Sequence, residues 1–395
     1  MYYPSSDRHA LVRMVLRVLL EMGYQCSVAV VQAATQGVPQ SRTRTIFLAS
    51  APGHDLPHHP RPIHTFQRKE HRYSVSFSVG RNDAAAISGD TRMKVEVTAT
   101  PKCRTPSLPL RFVRVRDILS DLPEVKNGDD ERTAPKTYGK SPLSASQYRF
   151  RMTTPSHLSH TETETSRLDK AESPILRHYP RELSGLVWER ARLIPKQHPG
   201  ADWRDLPNHD IVTKERVYPA MKYSGLDEDA IQKFSHDYPQ IMKLPRAVCG
   251  CMSIKNPSER AKKSGTRECR QFLRECVIPW SLPHTGVRHN QWQGLYGRLI
   301  EGGSSATIVT QPTLIGKQGT WLHPIQDRII TVREAARMQG FPDHFRFQGA
   351  ITMMYKQIGN AVPPPLGRAI AMEVMKSEQN TAARRVKENE FKMPL

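Results

Sequence analysis

Sustained apolar patterning is confined to the two ends of this chain, which limits it to an α/β fold interrupted by a long irregular stretch. Between residues 9 and 22, Leu11, Val12, Val15, Leu16, Val18, Leu19 and Met22 recur at helical spacing, and Gly23 supplies a stop. A buried helix is expected there. Residues 24–32 are rich in β-branched side chains, Gly37-Val38-Pro39 breaks the run, and residues 45–49 form a second apolar run, so two strands are expected. Near the other end, residues 329–338 and 364–375 carry helical or strand-to-helix patterns.

The middle is different. Residues 53–110 and 138–172 are polar, without sustained period, and read as loops or linkers. Residues 112–122 read as a strand feeding a short helix, and residues 181–193 as a helix ended by Pro195. No repeat of solenoid period emerges. Residues 377–395 are charged and hold one aromatic residue, Phe391, so a disordered tail is expected. The predicted division is 1–55 and 326–376 as parts of one core, 56–325 as the insert, and 377–395 as tail. The class is α/β: a partial doubly wound, Rossmann-like sheet with a large irregular α+β insert.

Composition narrows the partner. Lys and Arg total 58 against 38 Asp and Glu, a net charge of +20 that favours a polyanion held through phosphate contacts. No apolar run reaches the roughly 18 to 20 residues a membrane helix needs, and the start lacks a signal-peptide pattern, so an intracellular protein is expected. The six cysteines are irregularly spread and do not form a secreted disulfide framework.

Three short motifs carry chemistry. Gln40-Ser41-Arg42-Thr43-Arg44 lies between the two predicted strands, where side chains at a sheet edge meet ligands. Residues 332–342, VREAARMQGFP, look like a helix ending at a Gly-Phe-Pro stop and in isolation read as scaffolding. Residues 357–365, QIGNAVPPP, combine a Gly-Asn expected to form a tight turn with three prolines and a following helix. In this order, QxRxR, RExARxQGFP and GNAVPPP resemble the last three motifs of the DNA cytosine-5 methyltransferases. Residues 202–208, 278–286, 294–299 and 316–319 further resemble the target-recognition region of the animal maintenance enzymes. The resemblance spans about residues 8–376.

That resemblance implies a DNA cytosine-5 methyltransferase using S-adenosyl-L-methionine on double-stranded DNA at CpG sites, in the nucleus. It implies that Arg44 hydrogen-bonds the flipped cytosine and Arg42 organises the same pocket. A guanidinium fork suits this role, because attack on C6 pushes negative charge toward O2 and N3. Asn360 and the backbone around Val362 are implied to line the adenosylmethionine pocket. Lys317 and Gln318 match a loop that reaches the CpG step, where lysine donors suit guanine O6 and N7. Ser281, Leu282, Trp292, Leu295 and Ile315 match the wall around the parental methyl group, although a serine stands where cysteine is common and Ile315 replaces methionine. Trp292 and Leu295 read equally well as ordinary core. The family's tRNA-methylating branch has a short insert, so the length here argues for DNA.

Cys249, Cys251, Cys269 and His284 resemble the family's Cys3His zinc site, with Cys276 and His289 as alternative ligands. A CxC pair supplies two soft ligands from one tight turn. Against this, no cysteine follows a proline, and the only Glu-Asn is Glu388-Asn389 in the polar tail. The family's Pro-Cys nucleophile, its Glu-Asn-Val strand end and its glycine-rich adenosylmethionine loop are all missing. The expectation is a fragment inactive alone. A truncated stretch of a full enzyme is favoured over half of a split enzyme completed by a second chain and over a degenerate non-catalytic paralogue; the alternative of another class is a non-catalytic zinc-stabilised module that reads CpG or recruits partners.

Overall fold

The computed structural model describes residues 10–66, 109–152, 175–207, 292–316 and 319–391, with short pieces at 211–213, 217–218, 222–223, 247–248, 276–279 and Leu282. The chain divides into two compact units, residues 1–113 with 362–395, and residues 114–361.

The first unit is a small α/β/α layer arrangement. Helix α1 (Ala10–Glu21) ends at Gly23, whose left-handed backbone (φ 81°) lets its amide reach the Leu20 carbonyl. Strands β1 (Gln25–Gln32) and β2 (Thr43–Ser50) pair antiparallel from Gln25↔Ser50 to Gln32↔Thr43. Alternation then sends side chains to both faces. Val28, Val30 and Phe47 pack with Val12 and Leu16 of α1, while Ala29, Val31 and Ile46 pack with Leu366 and Ile370 of the last helix. Each fully buried aliphatic side chain in such a layer stabilises by about 1.5–3 kcal/mol.

Helix α1 is buried on one face only: Leu11, Met14 and Val18 are exposed, contrary to the expectation of a buried helix. Its apolar residues cover more than the stripe the two strands can bury. The last helix also departs from expectation. It runs unbroken over Pro364–Phe391, through most of the stretch expected to be a disordered tail. The reason is a long-range anchor: Ser377 and Thr381, four residues apart and so on one face, are both buried. The Ser377 hydroxyl donates to the Asp55 carbonyl, and Thr381 Oγ1 accepts from the Asp55 amide at 2.8 Å. Arg384 completes the anchor with bonds to Asp55 Oδ1 (2.5 Å) and the Gly53 carbonyl (3.0 Å).

The second unit contains helices α2 (Arg116–Leu119), α3 (Ala145–Met152), α4 (Gly185–Leu193), α5 (Val332–Gln339) and α6 (Ile351–Asn360). It also contains two short antiparallel pairs, Ile211–Val212 with Val217–Tyr218 and Lys222–Tyr223 with Ala247–Val248. The expected strand before α2 is absent. Val115 and Arg116 instead donate their amides to Gly303 and Glu301, irregular backbone that no periodicity announces. The Gly359-Asn360 turn is likewise corrected, since both residues close the last turn of α6. Gly359 is required there by contact rather than by turning: a Cβ would lie 2.5 Å from the Thr310 amide nitrogen.

Helix α5 turns its charges inward. Thr331 and Glu334 form a capping box, and Gly340 (φ 95°) closes the helix. Arg333 donates to the carbonyls of Leu176, Pro342 and Phe345, and Arg328 holds Glu334 through two bonds of 2.8 Å. Arg337 reaches Asp121 and Asp343, and Arg151 reaches Asp121 while stacking 3.6 Å over the Tyr138 ring. The scaffolding role read from RExARxQGFP is what this geometry serves.

Candidate functional site

In the first unit, the QxRxR residues run from the connection between β1 and β2 into the start of β2. The connection begins with a 3-10 turn, Ala33–Gln36, whose exit needs the left-handed backbone of Gly37 (φ 91°). Gln32 fixes the return path: its side-chain oxygen accepts from the Arg42 amide at 2.7 Å and from the Ala34 amide at 3.4 Å. Ala33 then donates to the Arg42 carbonyl at 2.8 Å. Gln40 and Arg42 are buried, whereas Arg44 is half-buried at the start of β2.

Burial, with the neighbouring Arg44 charge, brings the Arg42 guanidinium down to about 10, and burial also lowers Arg44. Both remain cationic at neutral pH. Arg44 donates once, to the Thr43 carbonyl at 2.8 Å, leaving the rest of its fork without a partner among the described residues. Two neighbouring guanidinium groups, one buried and one with open donors, suit a ligand that presents acceptor atoms.

Asn360 ends α6 in the second unit with its side chain exposed, and Val362, in the first unit, is also exposed. Gln339 Nε2 pins the backbone beside Asn360 through the carbonyls of Ile358 (3.0 Å) and Ala361 (2.8 Å).

Elsewhere in the second unit, Asp202 caps the 3-10 turn Trp203–Asp205 and accepts from the Gly294 amide at 2.8 Å. Trp203 donates to the carbonyls of Trp292 (3.2 Å, from Nε1) and Leu295 (2.9 Å, from its amide). Tyr296 donates to Leu314, and Gly297 to Gly319. The two residues flanking positions 315–318 are thereby tied to Tyr296 and Gly297. Of the expected wall, Leu282 and Leu295 are buried, Trp292 is half-buried with a left-handed backbone (φ 49°), and Ile315 is 60% exposed.

The family model for C-5 cytosine-specific DNA methylases matches residues 5–376. The chain belongs to this family. A mouse "DNA (cytosine-5)-methyltransferase 1" is 40% identical over 397 residues, covering 98% of this chain and 21% of the mouse protein. The sea urchin Paracentrotus lividus "DNA (cytosine-5)-methyltransferase PliMCI" is 38% identical, covering 94% of this chain and 20% of its own length. A rice "DNA (cytosine-5)-methyltransferase 1A" is 34% identical, covering 94% and 18%. The chain thus spans about a fifth of the length of the curated relatives it matches.

For this member of the family, the α/β class expected from sequence is that of its family and of the layered first unit. Lys317, Gln318 and Ser281 lie outside the described residues, as do the zinc-ligand candidates Cys249, Cys251, Cys269 and His284. Among the described residues no group of three metal-ligating side chains is gathered, and no helix is long and apolar enough to cross a membrane. Cys276, an alternative ligand, is buried, and its carbonyl accepts from Arg190 at 2.6 Å.

Sequence reasoning missed Gln32 and Gln339, the two side chains that fix the backbone beside Arg42 and Asn360. Gln32 ends a β-branched run and carries no motif signal, whereas Gln339 stood inside a quoted motif without a role. The left-handed backbone of Trp292 was equally silent in sequence.

Proposed function

We propose that this chain is the C-terminal portion of a maintenance-type DNA cytosine-5 methyltransferase that acts at CpG in the nucleus with S-adenosyl-L-methionine. The observation that carries this reading is the open donor fork of Arg44 beside buried Arg42, on a backbone pinned by Gln32. In this reading Arg44 donates to the flipped cytosine, where attack on C6 develops negative charge at O2 and N3, and Arg42 braces it. The exposed amide of Asn360 and the backbone at Val362 fit a polar ligand and are assigned to adenosylmethionine, which supplies the methyl group.

The core is assigned to residues 1–55 and 326–376 and the DNA-reading insert to 56–325. Lys317 and Gln318 are assigned to the CpG bases, and Ser281, Leu282, Trp292, Leu295 and Ile315 to the wall around the parental methyl. Exposure of Ile315 supports a role at an interface, while burial of Leu282 and Leu295 makes them its support. Cys249, Cys251, Cys269 and His284 are assigned to a structural zinc ion. The donor types suit zinc, and metal mass spectrometry of purified protein tests it: absence of zinc, or zinc retained by a Cys249→Ser/Cys251→Ser variant, removes the assignment.

No Pro-Cys occurs in the 395 residues, so the thiolate must come from another polypeptide segment. The chain alone is expected to give no methyl transfer from labelled adenosylmethionine to a hemimethylated CpG duplex. A polypeptide carrying Pro-Cys and Glu-Asn-Val elements should restore it, and an Arg44→Ala chain should not support that rescue. Turnover by the chain alone overturns the account.

A further inference from the structure

The second unit holds a cavity of about 270 Å3, lined in part by Glu131, Lys136, Arg177, Tyr179, Arg346 and Gln348, to which neither the motifs nor the site residues assign a role. Its walls are fixed. Ile175 donates to the Lys136 carbonyl at 2.7 Å, and the carbonyls of Arg177 and Tyr179 accept from Arg333 and Val332 at the start of α5. Arg177 is held in left-handed backbone (φ 59°), a conformation a long side chain rarely adopts without surrounding constraint.

Charge in the cavity is unbalanced. Glu131 is engaged by Arg177, and nearby Asp130 accepts from the amides of Arg132 and Thr133. Lys136 and Arg346 are exposed, and their side chains have no hydrogen bond or ion pair among the described residues. The Tyr179 hydroxyl and the Gln348 amide add neutral donors to the lining. Donors around a concavity on a chain of net charge +20 suit an oxyanion carried by a polyanion.

We propose that Lys136 and Arg346 hold a backbone phosphodiester of bound duplex DNA at this cavity, an anchor apart from the base-reading residues. It rests on the DNA-binding reading and deepens it. Such a contact positions the duplex and carries no sequence information.

The test measures affinity of the full chain for a CpG duplex and a scrambled duplex across a salt series. Removing this one phosphate contact in a Lys136→Ala/Arg346→Ala variant should flatten the slope of log K against log salt by about 0.9. The loss should be equal on both duplexes, and a Lys136→Arg/Arg346→Lys variant should restore the slope. A Lys376→Ala/Lys387→Ala control, which removes two exposed charges of the last helix, should leave it unchanged. A steep wild-type slope that the double Ala variant does not alter overturns the anchor and leaves DNA binding standing. Equal flattening by the control reduces the effect to net charge and also overturns it. A wild-type chain without salt-dependent binding removes both readings.

Discussion

Arg337 and Asp121 meet at 2.5 Å with neither side chain exposed, 216 residues apart in sequence. Asp121 also accepts from Arg151, and Arg337 also holds Asp343, so the pair is the centre of a buried chain of alternating charge. Taking one partner from such a pair leaves an uncompensated charge, which costs about 3–5 kcal/mol. Arg337→Met is therefore expected to destabilise the second unit by about that amount. All five tryptophans lie between residues 114 and 361, so denaturant unfolding followed by tryptophan fluorescence reads this unit alone. A loss below about 1 kcal/mol is what an exposed pair gives and sinks this account.

Acid should weaken the same unit, starting well above carboxylate pH. Burial pushes His178 down to about 4 and His323 down to about 3, despite the neighbouring Glu334 carboxylate. Both rings are neutral in the folded state, while the unfolded chain protonates them near 6.5. The unfolded state thus binds more protons once pH falls below 6.5, and stability declines from there through 4 and toward 3. Asp343 adds a second phase. Burial works to raise it, but Arg337 and Arg333 bring it down to about 2, so its contribution is present above 3.8 and lost as pH approaches 2. A His178→Gln/His323→Gln variant should show a flatter pH dependence between 6.5 and 4 in the tryptophan-detected unfolding midpoint. An unchanged dependence places the acid sensitivity elsewhere.

What the sequence made legible divides along the range of the interactions. Helix α1, both strands and the inward helix α5 follow from local periodicity and from caps such as Gly23 and Gly340, whose signals lie within a few residues. The helix through residues 377–391 was hidden because its anchor, Asp55, lies more than 300 residues away and a charged composition reads as solvated. The same holds for Gly359, which looked like a turn residue. Its requirement is the backbone of Val309 and Thr310, which no local pattern reveals. At the candidate site the arginines were visible as a motif, whereas Gln32, which fixes their backbone, was not.

Gln32→Leu should expose that dependence. The substitution removes the acceptor for the amides of Arg42 and Ala34 while keeping a side chain of similar size. A buried amide left without a partner costs about 1–3 kcal/mol. Amide hydrogen exchange should accelerate at Arg42 and Ala34 and leave the centre of the β1–β2 pairing, at Ala29 and Ile46, little changed. Gln32→Glu, which retains the acceptor, should exchange like the wild type. Uniform acceleration across both strands would mean that Gln32 supports the whole sheet rather than the arginine-bearing connection.

Gly359→Ala sets two effects against each other. Within a helix, alanine is favoured over glycine by about 1 kcal/mol, because it orders the backbone at lower entropic cost. Here, however, the added Cβ meets the Thr310 nitrogen at 2.5 Å, the Val309 carbonyl carbon at 2.5 Å and its oxygen at 2.7 Å. These are backbone atoms that cannot rotate aside, and relieving such an overlap typically costs about 1–3 kcal/mol of strain. Steric cost should win, with net destabilisation of the second unit and a shift of α6 away from residues 309–310. Because Gln339 pins the carbonyls of Ile358 and Ala361, that shift should also disturb the backbone around Asn360. On the proposed assignment of Asn360, binding of adenosylmethionine by the completed enzyme should then weaken more than DNA binding does, measured by calorimetry. A stabilised Gly359→Ala protein means that residues 309–310 yield easily and that the glycine answers to helix entropy alone.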